Sequence, residues 1–259
     1  MEVALFLSVS GLLFIGIAAG VQNSVWQQRV NDSVQSFAEF LKTVYSQVSN
    51  PQGAGTTGGR SDKAIYGKLI SFGQGYQLSG EAVQSGEQEV FVYDVVGDAE
   101  SNGTGDTISL LGSLDPKVVV SKNEAGTVTM SFAGMAESYI PRWTAVIQNT
   151  GNDLYEGSIL IVRNPRSGTV NTFVSPTVLN INQAVAEKNV GVAESILKAN
   201  LGGFSQSEVN FCINPYGDNV QDENRKNVRL LSGAHNASGV VIVGDGKNES
   251  GKYDNQCKE

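Results

Sequence analysis

At 259 residues and 40% hydrophobic content the chain is long enough for a sizeable core, and a formal net charge of −8 argues against nucleic acid as a partner, since phosphate binding needs a basic face. Thirty glycines, 17% charged residues and only two cysteines, both late, give the profile of an exported, turn-rich β protein.

The first element in the chain is a helix predicted from Met1 to Ser49, and it has two halves. From Val3 to Val21 no residue is charged, and Leu5, Phe6, Leu7, Leu12, Leu13, Phe14 and Ile15 dominate. At ~1.5 Å per residue that run would measure roughly 28 Å, about the hydrocarbon thickness of a bilayer. Glu2 is the only charge before Arg29. Beyond Gln22 the sequence turns polar while the helical period continues. Trp26, Val30, Val34, Phe37, Leu41, Val44 and Val48 draw one apolar stripe, with Gln28, Asp32, Gln35, Glu39 and Lys42 opposite. Asn50-Pro51 is the expected stop. The chain therefore divides into an apolar half-helix (1–24), an amphipathic half-helix (25–50) and a β-rich head (51–259).

The head opens on a Gly-rich loop, 51–60, and then reads as short strands. These are Ala64–Phe72, Glu89–Val96, Lys117–Ser121, Thr127–Phe132, Trp143–Gln148, Gly157–Arg163 and Thr169–Val174. Asn123-Glu124-Ala125-Gly126 reads as a hairpin turn. The unbroken run Ile159-Leu160-Ile161-Val162 suggests a central strand buried on both faces, and Thr169–Val174 its hairpin partner. A second helix is expected from Gln183 to Leu201, capped by Asn182, with Ala186, Val190, Ala193, Leu197 and Leu201 on its apolar face and Gly202-Gly203 as its stop. Glu208–Ile213 and Gly239–Val243 complete the strands, and Asp218–Arg225 is a charged loop. The fold class is α+β: a long helix packed by its stripe on a sandwich-like β head with one further helix.

Cys212 and Cys257 form the expected disulfide in an oxidising compartment, closing a loop of about 45 residues; the alternative is two unlinked buried thiols. His235, the sole histidine, has no Cys or His nearby for zinc. Any Ser–His pairing would have to use it, and neither a Gly-x-Ser-x-Gly elbow nor a phosphate or dinucleotide loop occurs. No enzymatic activity, cofactor or metal is expected. Asp218, Asp222, Glu223, Asp245 and Asp254 do not match a calcium-loop spacing and read as solvated charge. Asn-x-Ser/Thr triplets start at Asn31, Asn102, Asn236 and Asn248, as chance allows in such a composition.

The segments Glu2-Val3-Ala4-Leu5-Phe6-Leu7 and Ser10-Gly11-Leu12-Leu13-Phe14-Ile15-Gly16-Ile17-Ala18-Ala19-Gly20 resemble the N-terminal helix of type IV pilins and pseudopilins. The resemblance covers about a tenth of the chain, or a fifth with the amphipathic half. In that family the acidic residue is the fifth of the mature chain and follows a basic leader ending in Gly; here Glu2 is second, so the sequence is expected to begin a few residues late, at an internal Met. The resemblance implies a filament subunit held in the cytoplasmic membrane before assembly, then part of a surface filament serving adhesion, motility or DNA uptake. Its implied partners are copies of itself or related pilins and the pilus assembly machinery. It also implies that Glu2 pairs with the α-amino group at Met1 or a neighbour's N-terminus, and that helix melts around Gly11, Gly16 and Gly20 on assembly; close packing through Gly16-x-x-x-Gly20 is the alternative.

Two other readings compete. Ala18-Ala19-Gly20 offers a signal-peptide cleavage site, but no basic residue precedes the apolar run and the helix continues across the cut. A secreted or anchored β-sandwich module is the second, with Tyr76, Tyr139, Trp143 and Tyr155 as ligand-stacking aromatics in place of core residues.

Overall fold

The computed structural model describes residues 2–49, 64–74, 88–98, 117–118, 120–121, 131–132, 137–142, 145–149, 154–163, 168–179, 195–197, 199–214, 226–244 and 257. The fold is α+β, with the 48-residue helix α1 (Glu2–Ser49) ahead of two principal antiparallel sheets.

The larger sheet contains β1 (Ala64–Gln74), β2 (Gln88–Asp98), β3 (Lys117–Val118), β6 (Glu137–Tyr139), β8 (Gly157–Arg163) and β9 (Val170–Ser175). Its order is β3-β2-β1-β8-β9, with β6 also on β2. Register sorts its two faces. Ile70 lies opposite both Val92 and Ile159, and Ile159 opposite Val174; these four point one way, into the core shared with α1. The alternate residues Leu69, Tyr93, Leu160 and Phe173 point the other way and are also buried. Ser71 and Ser158 stand on this second face and donate to the carbonyls of Leu179 and Thr177, so the segment after β9 covers it. β8 is thus a central strand buried on both faces, as its apolar run suggested. At Gly67 the strands approach so closely that a Cβ would sit 2.5 Å from Val162 Cγ1.

The smaller sheet has the order β12-β11-β10-β7, from β7 (Val146–Gln148), β10 (Val209–Asn214), β11 (Lys226–Leu230) and β12 (Val240–Val243). β4 (Val120–Ser121) and β5 (Ser131–Phe132) form a separate two-stranded ribbon. Lys117–Ser121, expected as one strand, is therefore split: 117–118 pair with β2 and 120–121 with β5. Residues 122–130, including the expected turn, lie outside the described residues, as do most of Thr127–Phe132 and both Trp143 and Thr144. Of the second helix, 195–197 and 199–200 are helical and run into a 3-10 turn at Leu201–Gly203; Leu197 and Leu201 are buried as its face predicted. Ala186, Val190 and Ala193 fall outside the described residues.

The second half of α1 packs against both sheets at once. Val30, Val34, Phe37, Leu41, Val44 and Val48 are all buried, and Trp26 packs at the margin. Ser33, Ala38 and Tyr45 are buried too, so the buried stripe is wider than the one file of residues read from the sequence. Two sheets grip two flanks of the helix, which requires the broader face. Phe37 is the point of contact. Its ring meets Phe72 of the larger sheet at 6.3 Å between centroids and Phe211 of the smaller one at 5.3 Å, and those two rings stack on each other at 5.3 Å.

Polar contacts fix the same seat. The Ser33 hydroxyl lies 2.9 Å from Arg29 O and 3.0 Å from Arg142 O, so its one proton is shared between the helix and the β6–β7 connection. Lys226 at the start of β11 donates to Asn31 Oδ1, where the helix enters the head. The Cys212–Cys257 disulfide is formed, with both residues 1% exposed. It joins the outer face of β10 to the end of the chain.

Candidate functional site

The core stripe of α1 ends at Val30, and N-terminal to it the same helix exposes apolar side chains on every side. Phe6, Leu12, Phe14 and Ile15 are 69–78% exposed, and Val9, Leu13, Ile17, Val21 and Val25 are exposed as well. The change falls across little more than one turn, from Val25 at 40% to Val30 at 2%. Soluble monomers rarely expose contiguous apolar surface of this extent. Covering each such side chain would contribute roughly 1.5–3 kcal/mol, so the segment carries a large drive toward lipid or toward other helices. Among the described residues no helix is long and apolar enough to cross a membrane. The side chains of residues 3–5, 7, 8, 18, 19, 22 and 23 lie outside the described set, which interrupts the run from Val3 to Val21.

The expected assembly residues sit on this projecting segment. Met1 is outside the described residues; Glu2 opens the helix, its side chain undescribed. Gly11, Gly16 and Gly20 lie within unbroken α-helix, and a Cβ at any of them would meet nothing within 4 Å. In the isolated chain, then, none of the three is required by a close contact.

Other candidates resolve into structural roles. Tyr139 stacks on Phe40 at 4.5 Å and donates to Ser36 Oγ, and Tyr155 meets Phe72 and Phe211 edge-on. Burial pushes both phenols above their ordinary range. They are packing residues of the aromatic cluster, while Tyr76 and Trp143 fall outside the described residues. His235 Nδ1 lies 2.7 Å from Val170 O on an exposed loop. Asn31 holds Lys226, its triplet partner Ser33 is buried, and Asn236 Oδ1 accepts from Ser238 N to cap a 3-10 turn. Asn102, Asn248 and the acidic residues 218, 222, 223, 245 and 254 lie outside the described residues. Among the described residues no three potential metal ligands gather.

Sequence reasoning did not find the contacts that hold the rod in the head, Lys226 with Asn31 and Tyr45 with Thr172. Each joins residues more than a hundred positions apart, and neither a period nor a motif marks them. Comparison with protein-family models, with curated proteins and with solved structures finds no match.

Proposed function

We propose that this chain is a structural subunit of a type IV pilus-like filament, held in the cytoplasmic membrane by its apolar half-helix before assembly. The observation that supports it is the division of one helix into a half that builds the head's core and a half whose described apolar side chains, Phe6 to Val25, are exposed. A cleaved signal peptide has no reason to continue in register into the core of the mature head. A rod fixed between two sheets, by contrast, transmits the position of its free half to the head. In this reading residues 1–24 first sit in lipid and then pack among the same segments of neighbouring subunits, with the head facing solvent. Glu2 is costly in such an apolar interior unless a cation meets it, and the chain offers none before Arg29. The α-amino group of its own or a neighbouring N-terminus supplies that partner and sets axial register.

Glu2→Gln, nearly isosteric, tests the reading in a host that carries the assembly machinery. Membrane insertion and head folding are expected to persist while sheared surface filaments fall sharply. Normal filament yield would refute the registration role. Mass analysis of the exported protein that finds it soluble and cut after Ala19 or Gly20 would refute the filament reading altogether.

A further inference from the structure

The triplets at Asn31 and Asn236 both lie among the described residues, and their surroundings differ. At Asn31 the triplet is closed. Asn31 Oδ1 holds Lys226, and the Ser33 hydroxyl is buried against Arg29 O and Arg142 O. At Asn236-Ala237-Ser238, in the turn between β11 and β12, the Asn and the Ser are both exposed. Here the two polar side chains meet. Asn236 Oδ1 accepts from Ser238 N at 2.9 Å and from the Ser238 hydroxyl at 2.5 Å. A backbone N–H can only donate, so the amide atom facing it is the oxygen, and Nδ2 takes no part in these bonds. Two donors on Oδ1 draw charge onto the oxygen. They lower the cost of taking a proton from Nδ2, which an amide nitrogen must lose to gain a new bond.

The turn is firmly seated. Gly239 N donates to Asn236 O at 3.0 Å, Leu231 N donates to Gly239 O at 2.9 Å, and His235 Nδ1 lies 2.7 Å from Val170 O. None of these bonds uses the Asn236 side chain, so a group attached at Nδ2 breaks none of them. Its place in the head is favourable too. β11 starts at Lys226, beside Asn31 where the rod enters, while the loop after its other end meets the Tyr45–Thr172 pair through Ala234 O. Along α1, Tyr45 lies roughly 21 Å beyond Asn31 at about 1.5 Å per residue. Bulk added to this turn therefore stays clear of the apolar half-helix. The Cys212–Cys257 disulfide suits the oxidising compartments in which such triplets are glycosylated.

We infer that Asn236 is an N-glycosylation site, whose co-substrate is a sugar carried on a lipid diphosphate. Nδ2 bonds to C1 of the sugar as the C1–O bond to the diphosphate breaks. The electron pair of that bond leaves with the lipid diphosphate, the Nδ2 proton goes to a base of the transferase, and nothing is oxidised or reduced. The site lies in the head and does not depend on assembly into filaments.

For the test, the folded full chain in detergent is incubated with a purified oligosaccharyltransferase that asks only for Asn-x-Ser/Thr, together with its lipid-linked oligosaccharide. An unstructured acceptor peptide is the positive control. Tryptic peptide 230–247 contains Asn236 and no other triplet, and peptide 30–42 contains Asn31. The first is expected to carry the glycan and the second to stay bare. Ser238→Ala, which removes the hydroxyl, should abolish the modification, and Ser238→Thr should keep it. If Ser238→Ala lowers the melting temperature, Ala237→Pro serves instead. Pro suits the first position of a helical turn yet blocks the acceptor triplet. A bare 230–247 beside a glycosylated control, or a glycan there that survives the variant, would overturn the inference. Equal modification of both peptides would overturn it as well, because the exposure of Asn236 would then play no part.

Discussion

Tyr45 and Thr172, 127 residues apart, share a buried hydrogen bond whose direction the structure fixes. Thr172 Oγ1 donates its own proton to Ala234 O at 2.8 Å, so the Tyr45 hydroxyl must be the donor to Thr172. The relay runs from α1 through β9 of the larger sheet to the loop ahead of β12 in the smaller one. It links the rod to both layers at one point, deep in the head.

That relay has a pH signature. Burial pushes the Tyr45 phenol up from 10.0 to about 12. In the unfolded chain the phenol ionises near 10.0, so its contribution is complete below that pH and is lost as the pH rises toward 12. The loss amounts to about 3 kcal/mol, and burial of Tyr139 and Tyr155 adds in the same direction. Tyr45→Phe gives up one hydrogen bond, about 1 kcal/mol, or roughly 3 °C in melting temperature at pH 7. Between pH 10 and 12 the variant should lose stability more slowly than the parent and overtake it. Parallel melting curves over that range would show that Tyr45 does not keep its proton in the folded state.

How much of this could be read from the chain depended on whether a residue's neighbours in sequence report its neighbours in space. The stripe from Trp26 to Val48 and the strand Gly157–Arg163 stood out because burial there follows a short period in apolar residues. β11, Lys-Asn-Val-Arg-Leu, did not, because only two of its five residues are apolar; Asn227 is nonetheless fully buried, on the outer face of its sheet. β6, Glu-Ser-Tyr, was missed for the same reason. The split of Lys117–Ser121 between two sheets is a change of pairing partner, which side-chain alternation does not record. At the candidate site the exposed apolar residues Phe6, Leu12, Leu13, Phe14 and Ile15 were legible from hydropathy. The double grip on the other half was not, since a single stripe looks alike whether one sheet covers it or two.

The disulfide offers a second measurement. Cys212 lies on the face of β10 opposite Phe211 and Ile213, and its bond to Cys257 closes a 45-residue loop. By chain entropy that closure contributes roughly 4 kcal/mol. Reduction, or Cys257→Ser, should lower the melting temperature by roughly 10 °C while leaving the aromatic cluster of Phe37, Phe72 and Phe211 intact, as read by near-ultraviolet circular dichroism. Equal melting temperatures with and without reductant would mean that the unfolded chain gains nothing from the open loop. Peptide mapping that recovers both residues as free thiols from exported protein would remove the bond itself.

The glycines of the projecting helix and Gly67 of β1 should respond to alanine in opposite ways. At Gly67 a Cβ would sit 2.5 Å from Val162 Cγ1 and 2.7 Å from Ile161 O, so Gly67→Ala must push strands apart and should cost the head about 1–3 kcal/mol. At Gly11, Gly16 and Gly20 a Cβ meets nothing, and alanine gains ~1 kcal/mol of helix propensity at each. A triple alanine variant should therefore show slower amide exchange along residues 11–20 in micelles, with the head's stability unchanged. In the proposed filament the gain becomes a handicap on either reading of these residues. If the segment melts on assembly, alanine opposes the melting; if neighbouring helices pack close at Gly16 and Gly20, an added Cβ holds them apart. Filament yield is expected to fall in both cases, and normal yield would remove both roles. Amide exchange in assembled wild-type filaments then separates them. Fast exchange confined to residues 11–20 is the expected outcome and identifies melting; protection through the whole span would refute it and leave close packing as the use of these glycines.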